Sequence, residues 1–393
     1  MLRKIYIFLV ALYPILSGYG YSPQVDFGVI SLFIVGVSCA ISKRGIFKMA
    51  SPPGYVLFFS VTLLLSFFFA ETIPLRLVLW SLNLFLVCFF VDFRTLFGYY
   101  EKIVLCSCTF FIFQLIMSVF WGVRISGIIP FIPTIYEGMG IDIIDVQTGG
   151  ATLCSFFLEK SYFAQYLFPY LVIKLFSNEK KTFISAIVVS LVLLLSRSGN
   201  GAVLLIIVWF FWFICANIGF RLKLGIVIMG IVSLMIVFSY MGEVLVGMIE
   251  RSSELQSFGG DESYQSSGFI RFFRGYYAYA DMPLINKLFG ANPVFVQSVV
   301  QSNYFFAVSK DEYYNGTQML LLHHGLIACI LFYRHLILMC WYKHSKELVL
   351  MVICSVWLML GESYFLCARM FFTTCLMYSM IIEGKKVAFA KNL

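Results

Sequence analysis

Long apolar stretches separated by short charged connections dominate this chain, and they restrict what it can fold into. Most of them approach the length that an α-helix needs to cross the hydrocarbon core of a bilayer. About twelve can be recognised, at 5–20, 25–41, 55–70, 74–91, 103–121, 162–176, 183–196, 202–220, 224–241, 317–341, 348–360 and 364–382. Hydrophobic residues make up 61% of the chain and charged residues only 12%, a composition that excludes a soluble domain of 393 residues. We therefore expect an all-α, polytopic integral membrane protein with a single domain over residues 1–393.

The basic residues between these stretches predict how the helices are oriented. Lysine and arginine gather in every second connection, and connections rich in these residues stay on the cytoplasmic side. The same alternation places both termini of this chain on the cytoplasmic side. The alternate connections then face outwards, and two of them are long, at about 122–161 and 243–315. The first apolar stretch is interpreted as a helix, because no small-residue cleavage pattern follows it.

Arginine and lysine are distributed differently between the two predicted sides. The cytoplasmic set holds 18 basic residues, five of them arginine, whereas seven of the other ten are arginine. A planar guanidinium group binds phosphate or carboxylate oxygens through two parallel hydrogen bonds, so the distribution indicates an anionic ligand on the outer side. The alternative is that single outer arginines pair with neighbouring acids such as Glu71 or Asp261.

Several kinds of chemistry find no support in the sequence. Ten of the eleven cysteines lie in apolar stretches, so we expect no disulfide framework. The chain has no zinc-type spacing, no Walker A loop, no dinucleotide fingerprint and no aspartate cluster suited to a divalent metal. We therefore expect no cofactor, no metal and no nucleic-acid partner.

Two short polar segments on the outer side are candidates for the site. Glu159, at the end of the first long connection, is a candidate general base; alternatively it complements a helix N-terminus that Ser161 caps. The second segment is the turn SRSGNG at 196–201. Arg197 there opposes the positive-inside trend, and the small residues around it leave backbone groups free to bind an anion. A guanidinium that reaches the interface from a helix end is the alternative.

The most polar stretch of the chain is SSGFIRFFRGYYAYADMPLINKLFGANP, at 266–293. If 268–280 is helical, Arg271 and Arg274 lie three residues apart on one face, where two guanidinium groups together neutralise a diphosphate. Tyr276 and Tyr277 either stack on sugar rings or belong to an aromatic belt at the membrane surface.

A last group of polar residues follows near the end of the chain. Asn315 precedes an apolar helix that carries His323 and its neighbour His324, and polar groups in such a helix indicate a functional site. Adjacent helical residues point about 100° apart, so we expect only His323 to serve the site, unless both make structural hydrogen bonds. Arg124 and Arg369 are further candidates for substrate binding, although Arg369 is also spaced to pair with Glu362.

In order and spacing, these segments resemble the Wzy-type O-antigen polymerases, which share a fold with the O-antigen ligases. FFLEKSYFAQYL at 156–167 is similar to the family's Glu-Pro-Ser-aromatic-Ala signature, and LLSRSGNGA at 194–202 to its Ser-Arg turn. SGFIRFFRG and KLFGANP are similar to its loop arginine and Leu-Phe-Gly turn, and NGTQMLLLHHGLIACILF at 315–332 to its His-Asn segment and Gly-Leu-Ile-Gly helix. The chain departs from these patterns at Lys160, Tyr314 and Ala328, where proline, the histidine of the ligase-like pattern and glycine are usual.

The resemblance implies a GT-C-like fold, with twelve transmembrane helices, both termini cytoplasmic and short helices in a large periplasmic loop. It implies a glycosyltransferase of the bacterial inner membrane that uses neither metal nor nucleotide. The substrates would be undecaprenyl-diphosphate-linked oligosaccharide repeat units, joined on the periplasmic face. The implied partners are membrane lipid and a chain-length regulator protein.

The roles implied for individual residues follow from this chemistry. The leaving diphosphate needs positive charge, and the attacking sugar hydroxyl needs a base. The candidates are Arg197, Arg271 and Arg274 for the diphosphate, Glu159 or His323 for the proton, and Tyr276, Tyr277, Asn315, Arg124 and Arg369 for substrate contacts.

Two other functions remain open at the level of the sequence. An O-antigen ligase or an exopolysaccharide polymerase would use the same chemistry, although Tyr314 in place of histidine argues against a ligase. A polysaccharide-unit flippase or another transporter would also have about twelve helices. The chain shows no internal repeat and its outer loops differ greatly in length, which argues against a transporter.

Overall fold

The computed structural model describes residues 1–21, 26–42, 54–69, 75–129, 131–135, 153–177, 180–215, 267–302, 314–341 and 345–391. Within these ranges the chain forms fourteen helices and no strand, although Tyr19 and Thr134 form an isolated antiparallel bridge. The helices are α1 (Leu2–Leu16), α2 (Phe27–Ser42), α3 (Tyr55–Phe69), α4 (Leu75–Phe90), α5 (Phe93–Trp121), α6 (Lys160–Phe176), α7 (Lys180–Leu195), α8 (Gly199–Cys215), α9 (Ser267–Asp281), α10 (Leu284–Phe289), α11 (Pro293–Ser302), α12 (Gly316–Trp341), α13 (Lys346–Gly361) and α14 (Ala368–Lys391). The all-α prediction is confirmed for the described residues.

The apolar helices favour a membrane protein. By length and composition, α5 and α12 could each cross a bilayer, and five further apolar helices in the described ranges have 10 to 17 residues. Large apolar side chains project outwards from the bundle, among them Phe67, which is 61% exposed, and Phe120, which is 75% exposed. The number of spans and their orientation stay predictions, and the predicted span at 224–241 lies outside the described residues.

Helices α6 and α14 occupy the centre of the bundle. Eleven of the 17 residues of α6 are buried, on all of its faces, as expected for a helix surrounded by others. Helix α14 packs against α1, α4, α5, α6 and α13. Next to Pro169, the hydroxyl of Tyr100 donates to the carbonyl of Tyr166 and accepts from the backbone N–H of Tyr170, at 3.0 Å. A side chain from α5 thus enters the hydrogen-bond ladder of α6 and fixes the two helices together.

The two ends of the bundle differ in their polar contacts. We call end 1 the end where α1, α5 and α13 begin and where α6, α8 and α14 finish. Its ion pairs are Arg3 with Asp92 at 2.8 Å, Arg94 with Glu383 at 3.1 Å, and Lys174 with Glu101 at 2.6 Å; Lys346 also donates to the carbonyl of Cys215 at 2.9 Å. All four basic residues come from the set predicted to be cytoplasmic. End 2, where α6, α8, α12 and α14 begin and α13 finishes, contains Glu159, Arg197, Asn315 and Arg369.

The boundaries of several helices differ from the apolar stretches, for local reasons. Helix α5 begins ten residues before its predicted start, because Asp92 caps it by accepting from Thr95 N at 2.9 Å. Its first three turns contain Arg94, Glu101 and Lys102, so the apolar stretch begins later than the helix. Helix α6 begins at Lys160, so that Glu159 is its N-cap residue.

Helix α12 was predicted as one continuous helix, and the structure shows that it is broken. Gly325 has φ 80° and ψ 175°, which no residue in an α-helix adopts. The turn after α10 packs into the break: Ala291 N donates to Leu322 O at 3.0 Å, and a Cβ at Gly290 would lie 2.5 Å from His323 O. Backbone contacts this close require glycine on both sides. The short helices α10 and α11 are therefore anchored on the first half of α12, residues 316–324.

Candidate active site

A buried guanidinium group at end 2 is the centre of the strongest polar cluster. Arg369, in the first turn of α14, is 8% exposed. Its Nε donates to Gln165 Oε1 at 2.8 Å, and its guanidinium carbon lies 3.5 Å from the centre of the Tyr162 ring. Cation–π contact and a charge-assisted hydrogen bond thus fix the plane of the group. We call Glu159, Tyr162, Gln165 and Arg369 the Arg369 cluster.

Three members of the Arg369 cluster come from the start of α6. Tyr162 and Gln165 are three residues apart in its first two turns, so they project from neighbouring positions, and Glu159 is the extended residue that precedes the helix. Glu159 is exposed, its charge interacts with Arg369, and its side chain makes no capping hydrogen bond. Ser161 Oγ donates to Glu159 Oε2 at 3.1 Å. The carboxylate therefore accepts from a side chain of the first turn and not from a capping N–H, and Ser161 is not the N-cap residue.

The turn at 196–201 lies beside this cluster and has a strained backbone. Arg197 has φ 54°, a left-handed conformation that is uncommon for residues other than glycine, and its side chain is exposed. Ser198 Oγ accepts from Gly201 N at 3.2 Å, and Asn200 Nδ2 donates to Glu362 Oε1. Arg197 thus projects at end 2 from a turn that is tied to the end of α13.

Glu362 and Arg369 have different partners in the structure. Sequence spacing allowed them to form a buried pair; instead Arg369 donates to Gln165, and Glu362 accepts from Asn200. The reason is that the connection between α13 and α14 is not helical, so that spacing along one helix does not apply to it.

A second cluster forms where α9 packs against the first half of α12. The predicted helix at 268–280 is confirmed, as α9. Arg274 is 3% exposed, and its guanidinium carbon lies 5.9 Å from the centre of the Tyr314 ring, which meets the His323 ring edge-on at 6.5 Å. Arg271 lies on the same helix face, and its side chain is outside the described part of the structure. Arg274 is thus buried beside the Tyr314 ring, and we call Arg274, Tyr314 and His323 the Arg274 cluster.

The two histidines face different surroundings, as their adjacent positions predicted. His324 Nδ1 is 2.9 Å from Ser66 Oγ, and its ring meets that of Phe365. His323 interacts with the backbone of Ala291, and its Nδ1 is buried without a hydrogen-bond partner among the described residues. Of the two, His323 is the one whose ring contacts Tyr314, the ring that lies near Arg274.

Asn315 has a structural role that the sequence pattern did not reveal. Its Oδ1 accepts from Gln318 N at 2.9 Å, and Gln318 Oε1 accepts from Asn315 N at 3.1 Å. This reciprocal pair is a capping box at the start of α12. Burial raises the pKa of the neighbouring Tyr276 phenol, and the amide of Asn315 offsets part of the rise. Tyr277 is 48% exposed.

The first turn of α12 connects the two clusters. Gly316 N donates to Glu362 O at 2.7 Å, and a Cβ at Gly275 would lie 2.6 Å from the side chain of Gln318. The structure thus brings Glu159, Arg197 and Arg369 to one part of end 2 and Arg274 and His323 to a neighbouring part. Arg124 lies exposed just beyond the end of α5.

Four residues of this site were not predicted from the sequence as site residues. Tyr162 and Gln165 could have been found from their spacing of three and six residues after Glu159. Asn200 and Glu362 have no such signal, because their contact joins residues 162 positions apart. Among the described residues, no group of three or more His, Cys, Asp or Glu side chains could hold a metal ion. Neither the protein-family models nor the curated proteins give a match to this chain.

Proposed function

We propose that this chain is a membrane glycosyltransferase that polymerises surface polysaccharide. It transfers a growing glycan from undecaprenyl diphosphate to the next lipid-linked repeat unit, at end 2 on the periplasmic face of the bacterial inner membrane. The observation that carries the proposal is the Arg369 cluster. A buried, oriented guanidinium next to an exposed carboxylate combines an anion site with a base, the two groups that this transfer needs.

The reaction follows from these two groups. The hydroxyl oxygen of the acceptor sugar attacks the anomeric carbon of the donor, and the bond from this carbon to the diphosphate oxygen breaks. Arg369 and Arg197 stabilise the negative charge that develops on the departing diphosphate. Glu159 takes the proton of the hydroxyl. An in-line displacement of this kind inverts the anomeric centre, and cleavage of the diphosphate linkage supplies the energy.

The Arg274 cluster extends the same proposal to the larger outer segment. Arg271 and Arg274 lie three residues apart on α9, and Gly275 of that helix packs on the first turn of α12. Arg274 is buried, so its charge is weakly screened and its interaction with an anion is stronger than in water. We assign this helix to the second phosphate or to the incoming lipid-linked unit.

Deletion of the gene in its own host tests the proposal. A polymerase predicts loss of the long-chain polysaccharide ladder on a gel, with one repeat unit still attached to the lipid A core. Loss of the single unit as well would reject a polymerase in favour of a ligase or a flippase. Normal ladders would reject all three.

Complementation of that deletion tests the chemistry. Glu159→Gln removes the base but keeps the size of the side chain, so we expect the ladder to shorten or disappear. Arg271→Lys keeps the charge but loses the planar group, so we expect most polymerisation to disappear while the protein still inserts. Arg94→Lys is the matched control, because Arg94 pairs with Glu383 at end 1 and its side chain is 88% exposed. Equal ladders from Glu159→Gln and Arg94→Lys would contradict a base at 159.

A further inference from the structure

Glu362 lies where three segments of end 2 meet. Its Oε1 accepts from Asn200 Nδ2 in the first turn of α8. Its backbone carbonyl accepts from Gly316 N, in the first turn of α12, and from Tyr364 N, each at 2.7 Å. One residue therefore joins α8 and α12 to the connection that leads into Arg369. The side chain serves α8 and the backbone serves α12, so that a substitution can separate the two functions.

The side-chain bond acts on a turn that needs support. A left-handed backbone at a residue other than glycine persists only where its surroundings hold it. Three side-chain hydrogen bonds hold the backbone around Arg197. They are the bond from Ser196 Oγ to Leu193 O at 2.7 Å, the bond from Gly201 N to Ser198 Oγ, and the bond from Asn200 to Glu362. The first two bonds lie within the turn and its flanking helices. Only the third, of these three, connects the turn to another part of the bundle.

We propose that Glu362 is a positioning residue for Arg197, acting through Asn200. It keeps the exposed guanidinium of Arg197 at the same part of end 2 as the buried guanidinium of Arg369, so that two cations reach one diphosphate. Glu362 itself does not touch the substrate. The functional part of this inference rests on the proposed glycosyl transfer, whereas the structural part does not.

Two substitutions at one position separate the side-chain bond from other effects. Glu362→Gln keeps an oxygen that accepts from Asn200, whereas Glu362→Ala removes it, and both leave the backbone carbonyl in place. We expect Glu362→Gln to behave as the wild type and Glu362→Ala to resemble Asn200→Ala. A requirement for the negative charge itself would instead make the Gln and Ala variants equally defective, and this result would overturn the proposal.

Hydrogen exchange of the purified full-length protein in detergent tests the structural part without any assay of activity. Loss of one such bond changes a local opening equilibrium by about tenfold. In Glu362→Ala we therefore expect ~10-fold faster amide exchange in peptides that cover 197–201 and unchanged exchange in the buried part of α6. Exchange at 197–201 that matches the wild type would overturn the proposal.

A double-mutant comparison in the complemented deletion strain tests the functional part. If Glu362 acts through Arg197, then Glu362→Ala should shorten the polymer in the wild-type background and have no further effect in the Arg197→Ala background. Immunoblots of the membrane fraction control for the amount of protein. A further loss in the Arg197→Ala background would overturn the proposal. The Arg197→Ala variant could instead make normal polymer while Glu362→Ala shows faster exchange. That result would reject the function assigned to Arg197, but it would support the contact by which Glu362 positions the turn.

Discussion

Gly325→Ala tests the contact between the broken helix α12 and the turn after α10. Gly325 has φ 80° and ψ 175°, a region that essentially only glycine adopts. Forcing alanine into it costs about 1–3 kcal/mol. The added Cβ would also collide with Leu288 O and lie 2.5 Å from Gly290 N, both of them backbone atoms. A backbone shift that relieves such overpacking costs a further ~1–3 kcal/mol. The expected destabilisation is thus about 2–6 kcal/mol.

Thermal melting of the detergent-solubilised protein, followed by size-exclusion chromatography, measures this effect. The matched control is Gly98→Ala on α5, because a Cβ there meets no atom within 4 Å and the residue is helical. Alanine is favoured over glycine within a helix by about 0.5–1 kcal/mol, so the control should melt at or slightly above the wild-type temperature. A Gly325→Ala protein that melts with the control would refute the close backbone contact.

The same contact predicts the effect of a substitution at Gly290, which lies on the other side of it. Gly290 has φ 90°, and a Cβ there would lie 2.5 Å from His323 O and 2.6 Å from the carbon that carries this oxygen. Gly290→Ala should therefore lower the melting temperature as Gly325→Ala does. Because both substitutions disrupt one interface, the double variant should be destabilised by clearly less than the sum of the single effects. Simple additivity would show that the two glycines act independently.

Three further predictions concern single side chains. Arg369→Lys removes the Nε donor to Gln165 and the planar contact with Tyr162. We therefore expect the protein to lose about 2–3 kcal/mol of stability and the polysaccharide ladder to disappear. A wild-type melting temperature and a wild-type ladder would contradict this. Asp26 Oδ1 accepts from Val29 N at 2.7 Å at the start of α2, so Asp26→Ala should cost about 1 kcal/mol of stability; an unchanged melting temperature would contradict this cap. Gln318→Ala breaks the capping box with Asn315 and should cost about 1 kcal/mol; an unchanged melting temperature would show that the box contributes nothing.

Local properties of the sequence were enough to predict most of the helices. An apolar stretch of sufficient length indicates a buried or lipid-facing helix wherever it occurs. The distance that such a helix spans in the bilayer depends only on the number of residues in the stretch. The helix at 268–280 was a condition of the argument about Arg271 and Arg274, and the structure contains it as α9. The break at Gly325 could not be predicted, because it depends on a turn that approaches from residues 288–291.

In the candidate site, too, local sequence patterns indicated some residues, whereas contacts between distant residues could not be predicted. Polar residues in an apolar chain drew attention to Glu159, Arg197, Arg274 and Arg369, because charged groups near or within a membrane are unfavourable without partners. The hydrogen-bond partners of these polar residues were not predicted. Asn315 was predicted to bind substrate, and the structure shows it in a capping box. An asparagine side chain allows both roles, and the capping box can be recognised only from the positions of the neighbouring N–H groups.

By itself, the sequence was enough to predict that the described part of the chain is all-helical, and to show that the chain is apolar and that its connections alternate between many and few basic residues. These properties follow from composition and from spacing along the chain. The tertiary structure alone decided that Arg369 stacks on Tyr162 and that Glu362 holds Asn200. The physical reason is that both contacts join the ends of different helices. Their distances depend on how the helices pack, and helix packing is set by the shapes of many side chains that no local pattern records.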